Sequence, residues 1–252
     1  SGVRVTGPSN QLLSNVISGW SIGVYIEEAT AVGNVVKGNY IGTDRSGQFA
    51  ISNGTGILID AGASDTVIGG FTTSPGTGAG NIISGNSGRG IWDDFGATAT
   101  VIRGNLVGLG ADGSVDLGNG LSGIQVNGLN TIIGGDDDDD GLLDGQVQSR
   151  NVISGNTTQG INIGHSGSAR NTIVRGNYIG TNRQGDAAVP NAFGGVVVGS
   201  APGTYIGGNT PGAGNLVSGN ASTGISVVQI SYPTIGGLYN AVIQGNVVGL
   251  NA

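Results

Sequence analysis

Carboxylates recur at the ends of three short segments that each begin with glycine. The segments read GVYIE, GILID and GIWDD, and they supply four acids: Glu27, Asp60, Asp93 and Asp94. If the segments are stacked strands, carboxylates on successive strands lie about 5 Å apart and those on alternate strands about 10 Å apart. These separations match the acid pairs of retaining and inverting glycosidases, respectively. The four acids are therefore candidate catalytic residues for cleavage of a polysaccharide.

Aromatic and cationic side chains accompany these acids. Tyr25 and Trp92 occupy outward positions of the same segments, Phe95 follows the pair of aspartates, and Arg89 precedes the third segment. Aromatic rings offer flat apolar faces against which a sugar ring can pack, and arginine presents a planar fork of hydrogen-bond donors. The sequence predicts a ligand-binding surface formed by Tyr25, Arg89, Trp92 and Phe95.

Asp93 differs from the other acids because it falls on an inward position of its segment, where the other segments carry isoleucine, valine or an equivalent residue. An unpaired carboxylate in an apolar interior is costly. Two arrangements stay open. Either the strand bulges and Asp93 joins Asp94 outside, or Asp93 is a buried acid with a partner or a raised pKa, as many functional acids are.

A second acidic group, residues 136–144, has the spacing D-x-D-x-D-G-x-x-D. This spacing resembles the first nine positions of an EF-hand-type calcium loop, but the twelfth position is Val147 where such a loop has glutamate. Crowded carboxylates repel each other without a cation, so two interpretations stand: a structural calcium ion, or a solvated acidic loop. The predicted ligands are Asp136, Asp138, Asp140, the carbonyl of Leu142, and Asp144.

An asparagine-led segment recurs eight times and must position all of these side chains. The copies read NVISG, NYIG, NIISG, NLVG, NVISG, NYIG, NLVSG and NVVG. Each of the first seven is followed by a glycine-led segment such as GILI and then by one such as VIRG. Short and long spacings between the asparagines alternate, so the long repeats carry loops. The asparagines are Asn15, Asn39, Asn81, Asn105, Asn151, Asn177, Asn215 and Asn246.

Alternation within the glycine-led segments places every second aliphatic side chain on one face, as in a half-buried β-strand. Self-similar units of a few tens of residues cannot bury an apolar face alone, so they stack into a solenoid. The sequence therefore predicts an all-β solenoid of about eight coils, each with three short strands. We expect the asparagines to form a ladder that donates to one neighbouring coil and accepts from the other.

The repeated N-x-I-x-G, G-I-x-I and T-V-I-x-G patterns resemble those of right-handed parallel β-helices of the pectin-lyase-like kind, in the repeat form of secreted bacterial proteins. The resemblance extends over essentially the whole chain and implies one β-helix domain, residues 1–252. It implies little about activity, because this scaffold serves lyases, hydrolases, adhesins and spacers. The G-H-G and R-I-K segments of polygalacturonase-like hydrolases do not occur in this sequence.

Charge and composition argue against several classes of function. The formal net charge is -7, most of it from the acidic run, and the nine basic residues are scattered singly. A phosphate backbone would find no cationic surface, so nucleic acid is not an expected partner. No apolar stretch is long enough to span a membrane. Cysteine is absent, which leaves coil stacking as the source of stability.

Both ends of the sequence read as interrupted coils, so we expect a segment of a longer array whose adjacent repeats are its partners. The expected function is that of a secreted or cell-surface module with a structural or adhesive role. Such a module would bind a polysaccharide or cell-surface glycan on an outer face. The alternative is a polysaccharide-degrading enzyme, a glycoside hydrolase or lyase, that uses the stacked acids.

Overall fold

The computed structural model describes residues 1–165, 169–228 and 240–249, and this part of the chain contains 24 short β-strands. Three strands make one coil, and the coils stack into three parallel eight-stranded sheets. The predicted right-handed parallel β-helix is confirmed. The predicted domain, residues 1–252, also includes residues 166–168, 229–239 and 250–252, which lie outside the described residues.

Sheet A consists of the glycine-led segments. Its inward side chains form columns, and the register joins Ile57 to Ile91 and Ile91 to Ile124. All three are fully buried, which stabilises the fold by about 1.5–3 kcal/mol per side chain. The strands are β1 (Val3–Val5), β4 (Ile22–Ile26), β7 (Thr55–Ile59), β10 (Ile91–Asp93), β13 (Ile124–Val126), β16 (Gln159–Ile163), β19 (Gly194–Val198) and β22 (Thr223–Val227).

Sheet B follows sheet A within each coil. Ile68, Ile102 and Ile133 point inward from its strands and are fully buried. A buried threonine, such as Thr100 or Thr131, precedes several of the strands at the turn from sheet A. The strands are β2 (Gln11–Leu13), β5 (Val35–Lys37), β8 (Val67–Gly69), β11 (Val101–Arg103), β14 (Ile132–Gly134), β17 (Ile173–Arg175), β20 (Thr204–Gly207) and β23 (Ala241–Gln244).

Sheet C consists of the two-residue strands that follow the asparagines. In the first seven strands the second residue points inward, as Ile83 and Ile153 do, and joins the main apolar core. The strands are β3 (Val16–Ile17), β6 (Tyr40–Ile41), β9 (Ile82–Ile83), β12 (Leu106–Val107), β15 (Val152–Ile153), β18 (Tyr178–Ile179), β21 (Leu216–Val217) and β24 (Val247–Val248).

The eight repeated asparagines stack at the turn from sheet B to sheet C. The Nδ2 group of Asn81 donates to Oδ1 of Asn105 and to the carbonyl of Val36, both at 2.8 Å. Oδ1 of Asn81 accepts from the backbone N–H and the Nδ2 group of Asn39, at 2.9 and 3.0 Å. The amide-to-amide bonds continue from Asn15 to Asn246 and fit the predicted ladder.

A second asparagine stack, which the repeat pattern did not predict, lies at the turn from sheet C to sheet A. Nδ2 of Asn119 donates to Oδ1 of Asn156 at 2.9 Å and to the carbonyl of Ile83 at 3.0 Å. The stack packs against the first glycine of the sheet A segments: a Cβ on Gly123 would lie 2.7 Å from Nδ2 of Asn156. Its members are Asn53, Asn86, Asn119, Asn156, Asn191 and Asn220.

Loops cover the outer face of sheet C in its central coils, whereas Val16 and Val247 in the terminal strands are exposed. We call this cover the loop layer; it comprises residues 43–50, 109–116 and 181–188 from one side and residues 71–80 and 135–150 from the other. The first three loops are each closed by an antiparallel bridge. Beneath them, Ile82, Leu106, Leu109, Val152 and Val189 form a second, smaller apolar cluster.

Loops of the loop layer bond directly to one another across the intervening short coils. Thr72 donates its backbone N–H to the carbonyl of Gln148 at 2.9 Å, and Arg183 donates its backbone N–H to the carbonyl of Gly113 at 2.8 Å. The repeats that begin at Asn39 and Asn105 carry two of these loops each, and the repeat that begins at Asn177 carries residues 181–188, which explains why these repeats are long. The alternation therefore builds a continuous surface on one side of the solenoid.

Replacing Asn119 with alanine tests whether the second stack stabilises the fold. The change leaves the donors of Asn86 and the carbonyl of Ile83 without their partner in the interior. We expect the free energy of unfolding to fall by at least about 2 kcal/mol. Chemical denaturation measures it, with Asn209→Ala at an exposed loop position as the control. Equal stability of the two variants would contradict a stabilising stack.

Candidate functional site

The acids predicted from the glycine-led segments stack in one column at the edge of sheet A. The register pairs Ile26 with Ile59, so Glu27 and Asp60 follow on adjacent coils. Asp94 takes the next position, since its backbone N–H donates to the carbonyl of Ile59 at 2.8 Å. We call Glu27, Asp60 and Asp94 the acidic column. The stacking on which the sequence prediction depended is therefore present.

Glu27 is held by two neighbours at the first end of the acidic column. Its carboxylate accepts a hydrogen bond from Nε of Arg4 and forms an ion pair with it. The bond from Arg4, followed by that from the Tyr25 hydroxyl, holds the pKa of Glu27 below its ordinary value. The same bond to Glu27 raises the pKa of Tyr25 to about 12. Glu27 is therefore an anion fixed by partners rather than an acid ready to give up a proton.

Asp60 and Asp94 are partly buried and accept hydrogen bonds from their surroundings. Oδ1 of Asp60 accepts the backbone N–H of Ala61 at 2.5 Å. Oδ1 of Asp94 accepts from Nδ2 of Asn127 at 3.0 Å, and Asn127 occupies the equivalent position one coil further on. A carboxylate with remaining lone pairs can also accept from the hydroxyls of a ligand.

The predicted aromatic positions form part of one outward row on sheet A. Tyr25 pairs with Leu58, and Leu58 pairs with Trp92, so the two aromatic rings are separated by one coil. The guanidinium carbon of Arg89 lies 4.1 Å from the centre of the Trp92 ring. Phe95, beyond the turn, is 71% exposed. The structure thus groups Tyr25, Arg89, Trp92 and Phe95 beside the acidic column.

Asp93 points into the solenoid and is fully buried. Its two carboxylate oxygens accept hydrogen bonds from the hydroxyls of Thr100, at 2.8 Å, and Thr131, at 2.5 Å. Burial, only partly offset by these bonds, raises the pKa of Asp93 to about 6. Of the two arrangements left open by the sequence, the buried acid with partners is the one present. Asp93 is not part of the outer surface.

The acidic loop, residues 136–144, folds back onto the solenoid through an arginine of sheet B. Nη1 of Arg175 donates to Oδ2 of Asp136 at 3.1 Å, and Nη2 donates to Oδ1 of Asp139 at 2.9 Å. Thr210 also donates to Oδ2 of Asp136, at 2.8 Å. Burial would raise the pKa of Asp136, but the Thr210 bond and the Arg175 charge hold it below the ordinary value. An internal cation thus occupies the centre of the cluster.

The predicted calcium ligands do not converge in this loop. Oδ1 of Asp140 accepts the backbone N–H of Leu142, and Oδ1 of Asp144 accepts that of Gln146, both at 2.9 Å. Asp136 faces Arg175 instead. Within the described residues, no three His, Cys, Asp or Glu side chains are grouped to hold a metal ion. The side chains as placed do not fit a calcium site, and calcium binding stays a prediction.

One cleft, at the first coil, touches the end of the acidic column through Arg4, the partner of Glu27. Further clefts in the described part of the chain lie over sheet C and beside the acidic loop, and these are not lined by Glu27, Asp60 or Asp94. One of those over sheet C contains Arg150 and Arg183, which the sequence analysis did not single out. No sequence signal could find this pair, because the two residues lie on different loops that meet only in the folded chain.

No protein-family model matches the chain, and no curated protein matches it. Among solved structures, the chain is similar to the mannuronan C-5 epimerase AlgE6 A-module of Azotobacter vinelandii, with a TM-score of 0.44 and 16% sequence identity. The match covers 98% of this chain and 58% of that chain. No helix in the described residues has the length and hydropathy to cross a membrane.

Replacing Asp93 with asparagine tests the effect of the buried carboxyl on stability. Because the folded-state pKa of about 6 lies above the unfolded value, the folded state favours the protonated acid, and stability falls as pH rises from about 4 to 6. The neutral asparagine does not suffer this loss, so we expect D93N to exceed the wild type by roughly 2–3 kcal/mol at pH 7.

The measurement is chemical denaturation of both proteins at pH 4.5 and pH 7. The difference between D93N and the wild type should shrink toward the lower pH, since both side chains are then neutral. Asp65→Asn, at an exposed position, is the control and should leave the pH profile unchanged. A difference that is the same at both pH values would contradict the assigned burial cost.

Replacing Arg175 with methionine tests how the acidic loop is held. Asp136 and Asp139 lose their contacts to the guanidinium group, and the two carboxylates then repel each other. We expect cleavage within residues 137–146 by an aspartate-specific protease to become several-fold faster. Arg170→Met, which removes an exposed arginine, should leave the rate unchanged. Equal rates in the two variants would contradict a loop anchored by Arg175.

Proposed function

We propose that this chain is a secreted or cell-surface β-solenoid module with a structural and adhesive role, and that it binds carbohydrate on the outer face of sheet A. The observation that carries the proposal is the grouping of Tyr25, Trp92 and Phe95 beside a column of carboxylates. Aromatic faces pack against the apolar face of a sugar ring, and carboxylates accept bonds from its hydroxyls. A straight row of such groups suits an extended polymer.

The state of the carboxylates favours binding over catalysis. General acid catalysis by a carboxyl group needs a raised pKa in an acid that reaches the substrate. The pKa of Glu27 is lowered by Arg4 and Tyr25, while Asp93, the candidate catalytic acid whose pKa is raised, is fully buried. Among the candidate acids, the one with a raised pKa is thus separated from the surface that could hold a glycan.

A polysaccharide hydrolase or lyase stays the second candidate because Asp60 and Asp94 lie on adjacent coils. Strands in a sheet are about 4.8 Å apart, close to the acid spacing of retaining glycosidases. The two functions differ in their products, since a binding module leaves its glycan intact.

Contact with adjacent repeats of a longer chain and binding of a structural calcium ion also stay predictions.

Replacing Trp92 with alanine should weaken glycan binding. In affinity electrophoresis against a panel of acidic and neutral polysaccharides, we expect at least one to retard the wild type. The W92A variant should bind that polysaccharide at least about tenfold more weakly, because an aromatic contact area is lost. Trp20→Ala removes the chain's other tryptophan, which is exposed in the first coil, and should bind like the wild type. If no polysaccharide in the panel retarded the wild type, carbohydrate binding would be rejected.

The same panel separates binding from degradation. We expect no release of reducing ends and no unsaturated product from any polysaccharide incubated with the wild type. Release that is lost in Asp94→Asn, with folding retained, would overturn the binding proposal in favour of the enzyme.

A further inference from the structure

A polar cleft opens in the loop layer on the outside of sheet C. It has a volume of about 290 Å³ and lies among three loops from different coils. We call it the arginine cleft. Its polar lining includes Thr73, Ser74, Gln146, Gln148, Arg150 and Arg183. The carbohydrate surface proposed above is on sheet A, so this cleft lies on another face of the solenoid.

Arg150 is fixed at the base of the cleft by contacts on two sides. Its Nε–H donates to the carbonyl of Gly176 at 2.9 Å. Its guanidinium carbon lies 4.0 Å from the centre of the Tyr178 ring, which belongs to sheet C. Burial lowers the pKa of Arg150 from its ordinary value, so the charge has lost part of its hydration. A bound anion would restore that lost stabilisation.

Arg183 reaches the cleft from a different loop and is fixed equally well. Its Nη2 group donates to the carbonyl of Ala111 at 2.7 Å, and its backbone N–H bonds to Gly113 in the same neighbouring loop. Its Nε atom is buried and has no hydrogen-bond partner among the described residues. The guanidinium group is therefore positioned before any ligand arrives, which reduces the entropy cost of binding.

In the described part of the chain, the lining of the cleft carries positive charge and no negative charge. Within the described residues, neither Arg150 nor Arg183 forms an ion pair, and no carboxylate lines the cleft. Burial lowers the pKa of Arg183, and the charge of Asp112 offsets this only in part. Asp144, just before the cleft, accepts bonds from Gln146. Two cations thus line one cleft without an ion pair to either, in a chain whose net charge is -7.

The chemistry of the lining limits the class of ligand that the cleft can bind. Guanidinium groups bind planar oxyanions in a bidentate manner. Glutamine amides and the hydroxyls of Thr73 and Ser74 can both donate and accept, as bonds to sugar hydroxyls require. A polynucleotide would need a longer cationic track than two arginines provide. The lining therefore matches a ligand that carries one oxyanion and several hydroxyls.

We propose that the arginine cleft binds an acidic sugar, with the carboxylate or sulfate of the sugar between Arg150 and Arg183 and its hydroxyls on the glutamines. This site goes beyond the function proposed for sheet A, because it uses a different face and different residues. A glycan that reached both faces would be held at two places on one solenoid, which raises its effective affinity.

The test is isothermal titration calorimetry on the full chain with four probes. These are a trimer of galacturonate, the matching neutral galactose trimer, a sulfated form of that trimer, and sodium sulfate. We expect the galacturonate trimer or the sulfated trimer to bind, more tightly than the neutral trimer, and the tighter of the two identifies the anion. Added salt should weaken the binding. The proposal would be overturned if neither acidic trimer bound, or if sodium sulfate bound as tightly as the acidic trimers.

Variants assign the binding to the cleft. We expect Arg183→Gln to weaken binding of the acidic trimer at least about tenfold, since a charge-assisted contact is lost. Arg183→Lys keeps the positive charge but lacks the planar guanidinium group. Its affinity for the acidic trimer should lie between those of the wild type and Arg183→Gln. Arg170→Gln, which removes an exposed arginine elsewhere, is the matched control. Gln184→Ala, at an exposed position of the lining, should weaken binding without affecting folding.

The Trp92→Ala variant distinguishes the two binding surfaces. If it binds the acidic trimer like the wild type while Arg183→Gln does not, the arginine cleft is a separate site. If Arg183→Gln and Gln184→Ala are folded and both bind with wild-type affinity, the cleft is not the site and the proposal fails. That result would leave the proposal for sheet A intact, because that proposal is tested by Trp92.

Discussion

Each coil of this solenoid must stack directly on the next, and every other feature of the structure depends on that register. Parallel backbone hydrogen bonds set the spacing between strands, but they repeat along a strand and do not by themselves prevent a shift of two residues. The two asparagine stacks remove this freedom. An amide such as Asn81 or Asn119 bonds to its counterpart in the next coil and to a backbone carbonyl nearby. Neither bond survives a shift.

Stacking in register turns single residues into columns, which has opposite consequences inside and outside. Inside, aliphatic columns such as Ile57, Ile91 and Ile124 pack without water and supply most of the stability. One carboxyl among them, Asp93, is tolerated because two threonine hydroxyls face it. Outside, the same repetition places Asp60 and Asp94 on adjacent coils. Like charges at this spacing repel, and donors such as Asn127 partly relieve the repulsion.

The long repeats add a second level of organisation. Their loops are too far apart in sequence to contact one another in an extended chain. Stacking brings them together over sheet C, where residues 109–116 lie between residues 43–50 and 181–188 and bond to both. Beneath them the small apolar cluster around Leu106 stays dry. The clefts of this face form between loops, so they combine side chains from several coils.

The sequence by itself determined the solenoid, its eight coils and the columns on sheet A. Repetition of short motifs specifies which residues become neighbours, so Glu27, Asp60 and Asp94 could be aligned without coordinates. It predicted one asparagine stack and missed the other, whose N-x-x-x-G signal, as at Asn119 and Gly123, is less regular. Tertiary structure alone decided that Asp93 points inward, that Arg175 binds two aspartates of the acidic loop, and that Arg150 and Arg183 line the same cleft. These outcomes depend on side-chain packing and on loop paths, which do not repeat, and a periodic pattern carries no information about features that occur once.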